Sequence, residues 1–223
     1  MPMLANVAFD TFVKGGPIMW PLLVVLIVAL AVVLERIFWW ARERHRREPQ
    51  KLEQVFSALE QGDFKQASTA AKDSSDPRIR TIYHGLNHVH SSMEGALQVA
   101  AGIEIQRAGR FLTVMDTIIT LAPLLGLLGT VTGIMYAFKF VGNEELAAIK
   151  VSGGISEALI ATAGGLGIAI FTLIPFNYFS GKVTKLQFEL ETAINNVLVL
   201  VTSAKARGDL GQAHPREEKM PAV

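Results

Sequence analysis

Residues Thr117–Phe138 read TIITLAPLLGLLGTVTGIMYAF, and Ala158–Gly181 read ALIATAGGLGIAIFTLIPFNYFSG. Neither stretch contains a charged residue, and their 22 and 24 residues are enough for a helix to cross the hydrocarbon core of a bilayer, which takes about 20. Spans that only anchor a protein are mostly Leu, Ile and Val. Here glycine, alanine and threonine recur at helical spacing, a pattern of helices packed closely against other helices or lining a polar path. One carboxylate, Glu157, stands at the head of the second run.

A third uncharged run, IMWPLLVVLIVALAVVL over Ile18–Leu34, has 17 residues. Gly15–Pro17 on one side and Phe38, Trp39 and Trp40 on the other extend it toward the interfaces. Trp20 and Trp39–Trp40 fit the aromatic belts of a spanning helix. The run reads as a span and not as a cleaved signal peptide, because no small-residue cleavage site follows and the positive charge comes after the apolar stretch. Composition agrees: half of the residues are hydrophobic, mean hydropathy is +0.34, and the charged fraction of 18% is below the roughly 25% of soluble chains. A net charge of +1 offers no basic stripe for nucleic acid. There is no cysteine, hence no disulfide or thiolate metal site.

Charge sets the expected orientation. Of 21 Lys and Arg, twelve lie between Glu35 and Asp116 and six after Gly181, leaving only Lys14, Lys139 and Lys150. Arg42, Arg44, Arg46 and Arg47 follow the first span directly, where the positive-inside rule counts most. Three crossings put nearly all basic residues on one side, whereas two or four would divide them. The expected layout is an external segment 1–17, a span 18–40, a cytoplasmic helical domain 41–115, a span 116–141, an external loop 142–152, a span 153–180, a cytoplasmic helix 181–207 and a disordered tail 208–223. Asp116 reads as a helix-boundary charge.

The polar parts carry helical periodicity. Leu52, Val55, Phe56 and Leu59 follow i, i+3, i+4, i+7. Gly62–Asp63 breaks the pattern, with Asp63 placed to cap a short helix holding Ala67, Ala70 and Ala71. Ser74–Pro77 is a second break, after which Ile79, Ile82, Tyr83 and Leu86 resume the period. From Met93 the pattern is expected to run unbroken into the second span. Beyond the third span, Val183, Leu186, Leu190, Ala193, Val197 and Val201 form a stripe that needs a partner. The fold class is therefore all-α: a polytopic membrane protein with three transmembrane helices, the second and third extended into a cytoplasmic helical domain.

Within the spans, Gly126, Thr130, Gly133 and Ala137 fall on one helical face, and Ala158, Thr162, Gly165, Ala169 and Thr172 repeat the spacing. This pattern serves close packing, since small residues let backbones approach. It equally serves a path lined with hydroxyls. Gly126, Gly129, Gly133, Gly165 and Ala169 form the packing set, and Thr130, Thr162 and Glu157 the candidate ion path. An ionised acid inside a span faces protein, water or a partner. Glu157 lies about 140° around the helix from Thr162, so the two share no face; the offset leaves Glu157 either a wetted position at the interface or, in a ring of subunits, the neighbour's seam. Pro123 and Pro175 sit within spans as geometric devices. His84, His88 and His90 read as surface histidines, with no acid completing a metal spacing. No Walker loop, dinucleotide fingerprint or nucleophile elbow is present, so neither an enzyme nor a cofactor is indicated. Three spans also lack the inverted repeat of many transporters.

The motifs LAPLLGLLGTVTGIMYAF (Leu121–Phe138) and GISEALIATAGGLGIAIFTLIPFNYF (Gly154–Phe179) closely resemble the MotA/TolQ/ExbB proton-channel family. Three spans and a large loop after the first are similar to its ExbB/TolQ branch, whereas the MotA branch has four. The specific likeness covers Glu104–Phe179. The resemblance implies a homopentamer in the bacterial inner membrane around helices of an ExbD/TolR-like single-span partner, with the proton-motive force driving movement passed on to a TonB- or TolA-like protein. It also implies that Thr130 in GTVTG and Thr162 in ALIATA are pore threonines and that Glu157 in SEAL is the membrane glutamate. In the family the main protonatable aspartate belongs to the partner helix. The uncharged runs here have no carboxylate of their own at mid-membrane. A passive oligomeric scaffold is the competing class, and threonines suit sodium as well as protons.

Overall fold

A computed structural model describes residues 9–88, 92–139 and 147–207, with the side chains of 147–150 excepted. Within the expected loop, residues 142–146 lie outside the described residues, as do His90 and the expected tail from Gly208. The described elements are all helical: α1 Met19–Arg44, α2 Pro49–Glu60, α3 Phe64–Ala71, α4 Pro77–Leu86, α5 Met93–Ala108, α6 Leu112–Phe138 and α7 Ala147–Ala206. Three of them, α1, α6 and α7, are long and apolar enough to cross a membrane, and the all-α polytopic class expected from the sequence holds.

The chain forms two compact units. The membrane unit takes the described residues up to Ala41 together with those of Gly109–Lys182, and the second unit takes the described residues of Arg42–Ala108 and those from Val183. At 60 residues and 1.5 Å per residue, α7 has a contour of about 90 Å, three times the thickness of a hydrocarbon core.

In the membrane unit, α1 begins later than the apolar run. Residues 9–14 are helical, and Gly15–Ile18 then turn, with the Met19 N–H donating to the Gly16 carbonyl at 3.1 Å. Gly15–Pro17 therefore do not lengthen the spanning helix. Trp20 meets Phe12 edge to face at 5.3 Å, and Trp39 meets Trp40 at 5.0 Å. Arg42 and Arg44 occupy the last turn of α1, where cations are favoured by the negative end of the helix dipole. Leu22 and Ala29 of α1 pack with Ile118, Ala122 and Ile168, and Val32 and Val33 pack with Met115 and Phe179. The outward surface is apolar: Leu124 is 61% exposed and Ile174 69%. Surface of that kind is solvated by lipid or by another span. Arg36 is wholly buried, paired with Glu35 and set 5.0 Å from the Trp39 ring and 5.7 Å from that of Phe111.

One expectation fails at the start of α6. The helix from Met93 stops at Ala108 and does not run into the second span. Gly109–Phe111 form a turn closed by the Leu112 N–H to the Gly109 carbonyl, with Phe111 left-handed at φ 66°. Such a conformation costs a non-glycine residue about 1–3 kcal/mol. The Phe111 ring offsets that cost by packing on the Val32, Val33, Met115 and Phe179 cluster, with the Arg36 and Arg110 guanidinium groups 5.7 and 4.6 Å from its centroid. The helical period alone carries no sign of this tertiary contact.

The second unit is built from short capped helices. Gly62, at φ 78°, turns the chain after α2, and Asp63 accepts a bond from the Gln66 N–H at 2.8 Å to start α3. Asp76 starts α4 in the same way. Its fully buried carboxylate accepts from the Arg78 N–H at 3.0 Å, from the Arg78 guanidinium at 3.0 and 2.7 Å, and from the Glu48 N–H at 3.1 Å. Burial pushes the Asp76 carboxyl up, but the Arg78 side chain and the backbone donors outweigh it and hold the group below the usual aspartate range. Val55, Leu59, Ile79, Ile82 and Leu97 make the core with no exposed area. The α7 stripe joins the same unit: Leu186, Leu190, Val197 and Val201 are buried, and Glu189 pairs with Arg47. Tyr83 and His84 lie edge to face, and the His88 ring nitrogen is 3.0 Å from the His84 carbonyl.

Candidate functional site

The glycines on α6 and α7 fall where the two backbones meet. On α6 the buried face is Met115, Ile118, Ala122, Gly126, Gly129, Gly133 and Ala137, steps of three and four that hold one face of a 3.6-residue helix. A side chain begun at Gly126 would lie 3.0 Å from the Ala161 carbonyl oxygen and from Thr162 Cα. At Gly133 it would lie 3.0 Å from the Gly154 carbonyl oxygen, and at Gly165 it would strike the Ala122 carbonyl. Partner numbers on α7 fall as those on α6 rise, so the helices run antiparallel. Ala158, Ala161 and Ala169 are also buried on α7.

Thr162 reaches across this contact. Its hydroxyl donates to the Gly126 carbonyl at 3.0 Å, which fastens α6 to α7 through a glycine that leaves room for it. Thr130 sits beside Gly129, partly buried, with its hydroxyl turned back on the Leu127 carbonyl at 2.7 Å. Thr172 is buried and donates to the Ile168 carbonyl at 2.8 Å. Thr130 and Thr162 are thus treated differently. One hydroxyl serves its own helix, and the other joins two helices.

Glu157 is partly buried in the amino-terminal part of α7, five residues before Thr162. Its carboxylate abuts the backbone of Gly16 in the turn before α1. Asp116 is exposed in the second turn of α6. Pro123 and Pro175 lie inside α6 and α7.

Sequence reasoning missed four participants. Gly154 packs on Gly133 and Ala137, with a built side chain 2.8 Å from both the Gly133 carbonyl oxygen and Ala137 Cβ. Ile18 reaches the α6–α7 contact, 2.8 Å from where a Gly129 side chain would begin. Gly15 and Gly16 form the turn against α7. Gly154 was detectable, since it continues the small-residue period of Ala158 and Gly165 one turn upstream. The Gly15–Gly16–Pro17 sequence, read above as an extension of the span, carries a turn signal, though not what the turn touches.

Comparison with known proteins gives a consistent family. The family model described as the MotA/TolQ/ExbB proton channel family matches residues 73–192. The ExbB-like 1 protein of Synechocystis sp. is 36% identical over 200 residues, 86% of this chain and 78% of that protein. The ExbB-like 3 protein of the same organism is 34% identical over 172 residues, 74% of this chain and 81% of that protein. The Tol-Pal system protein TolQ of Haemophilus influenzae is 37% identical over 93 residues, 41% of each chain.

Proposed function

The chain belongs to the MotA/TolQ/ExbB proton channel family, and on that premise we propose that it is the channel and motor subunit of a bacterial inner-membrane complex. With an ExbD/TolR-like single-span partner it uses the proton-motive force to energise a periplasm-spanning process of the TonB or Tol type, passing movement to a TonB- or TolA-like protein. One observation carries the reading: α6 and α7 make a close, glycine-faced pair with hydroxyls and no charge through their apolar runs, while Glu157 stands at one end. A proton crossing such a pair needs a mid-membrane carrier, and the partner helix supplies that carboxylate. Copies of this chain, five by family resemblance, surround the partner and present their outward apolar surfaces to one another and to lipid. The membrane potential contributes about 2.3 kcal/mol per charge per 100 mV, so a few protons suffice to rearrange helices.

The amino-terminal side is external in this reading and the basic segments face the cytoplasm, following the charge asymmetry. The chain has no native thiol, which makes cysteine labelling clean. A cysteine at Lys14 is labelled from outside and one at Lys205 only from inside; the reverse result overturns the orientation.

Thr162 favours a second reading for that residue, because its hydroxyl already has a partner within the chain. A passive scaffold uses such bonds for packing alone. Proton flux through complexes reconstituted with the partner separates the two. Thr130→Val, Thr162→Val and Glu157→Gln are expected to assemble and to lose flux, the threonine variants by about five- to 150-fold if a path hydrogen bond worth about 1–3 kcal/mol is lost. Wild-type flux in all three leaves the scaffold.

A further inference from the structure

We propose that Gly16 is the positioning residue for Glu157: the backbone of the turn before α1 is the seat on which the Glu157 carboxylate rests, and that turn thereby sets where an incoming ion meets the acid. This inference rests on the ion-path reading of Glu157 given above.

Two independent features select glycine at position 16. Its φ of 71° lies in the left-handed region, where a side chain is strained. A Cβ there would also land on the Glu157 carboxylate oxygen and lie 2.9 Å from Glu157 Cγ. The carboxylate therefore rests on backbone, in the space that an absent side chain leaves.

The turn itself is anchored on both helices of the candidate path. A side chain begun at Gly15 would lie 2.9 Å from Ile160 Cγ2 on α7, and Ile18 presses on the Gly129 position of α6. A side chain begun at Gly164, one turn beyond Ile160 on α7, would lie 3.7 Å from the Met19 methyl. Internal bonds stiffen the turn: the Gly15 N–H donates to Thr11 at 3.0 Å, and the Met19 N–H to Gly16 at 3.1 Å. A flexible glutamate is thus held by a short, tied segment 141 residues away in sequence. A carboxylate held at one place is a defined station for an ion. A displaced one spreads over several rotamers and meets the ion less often.

The test is a double-mutant cycle on proton flux through full-length complexes with the partner, alongside native mass spectrometry for assembly. Gly16→Ala alone is expected to lower flux about ten- to hundredfold, the scale on which small misplacements act. Glu157→Gln alone lowers flux as well, and Gly16→Ala/Glu157→Gln matches Glu157→Gln, because the glycine acts only through the acid. Carbodiimide modification of Glu157, read by peptide mass spectrometry, is expected to be faster in Gly16→Ala than in wild type. Losses that multiply in the double variant overturn the inference, as does Gly16→Ala with wild-type flux and an unchanged modification rate. Wild-type flux in Glu157→Gln sinks the ion-path reading itself and this inference with it. Should Gly16→Ala fail to assemble, Glu157→Asp decides: it keeps the charge but withdraws the carboxylate from Gly16, so lost flux supports the seat and wild-type flux overturns it.

Discussion

The membrane unit and the short-helix unit hold together by opposite means. In the membrane unit, α6 and α7 touch backbone to backbone, with Gly126 against Ala161 and Thr162, Gly133 against Gly154, and Gly165 against Ala122. In the short-helix unit, large side chains such as Leu59, Ile79, Ile82 and Leu97 fill the interior, and aspartates cap two of the helices. The contrast follows from the solvent. Lipid is as apolar as leucine, so helices in it gain little by hiding leucine from it and associate through close van der Waals fit and hydrogen bonds. In water, burial of side-chain area supplies the driving force, and exposed helix ends need caps.

The largest expected effect tests the backbone contact. Gly165→Leu drives a side chain into the Ala122 carbonyl and is expected to cost about 4 kcal/mol or more, beyond the usual range for overpacking, with loss of folded protein in detergent. Gly167→Leu, two residues along the same helix with nothing within 4 Å, is the matched control. Equal thermal stability of the two variants would dissolve the contrast between the units.

Next comes the buried acid of the short-helix unit. Asp76→Asn leaves the Arg78 guanidinium without its carboxylate and is expected to cost about 3 kcal/mol, seen as faster hydrogen exchange in α2–α5. The pH dependence has a definite sign. Asp76 titrates lower when folded than when unfolded, so its stabilisation is complete above the ordinary value of about 3.9 and is lost as pH falls from there through the folded value. Acidification to below about pH 4 is therefore expected to open this unit, and Asp76→Asn to remove that part of the acid response. An acid response unaltered in the variant contradicts the assignment.

Hydroxyl removal acts on a smaller scale. Thr162→Val deletes the bond between α6 and α7 and is expected to lower stability by about 1 kcal/mol. Thr130→Val deletes a bond within one helix turn and costs less. If flux falls equally in both while stability falls only in the first, path and packing roles separate within one pair of variants.

The smallest effect reverses sign between the units. Gly102→Ala, on an exposed part of α5 with nothing within 4 Å, is expected to stabilise by about 0.5–1 kcal/mol through helix propensity. Gly126→Ala, 3.0 Å from α7 backbone, is expected to destabilise despite the same propensity gain. Chemical denaturation of the full chain in detergent reads both.

Much of this molecule was legible from local order. Three uncharged runs announced three long apolar helices, because span length and composition are properties of contiguous residues. The stripes through Gly126, Gly133 and Gly165 were visible for the same reason, as were Asp63 and the α7 stripe from Leu186 to Val201, and two motifs were enough to indicate the family. The failures lie where a residue's conformation answers to something distant. Phe111 leaves the helical period because its ring is drawn into a cluster with Val32, Val33 and Phe179. Spacing alone lets Thr162 serve path or packing, and its bond to the Gly126 carbonyl, 36 residues away, shows only in the folded chain. Gly16 and Glu157 meet across 141 residues. Periodicity determines which face a helix offers; only the folded chain decides what that face meets, since a contact depends on where two backbones come together.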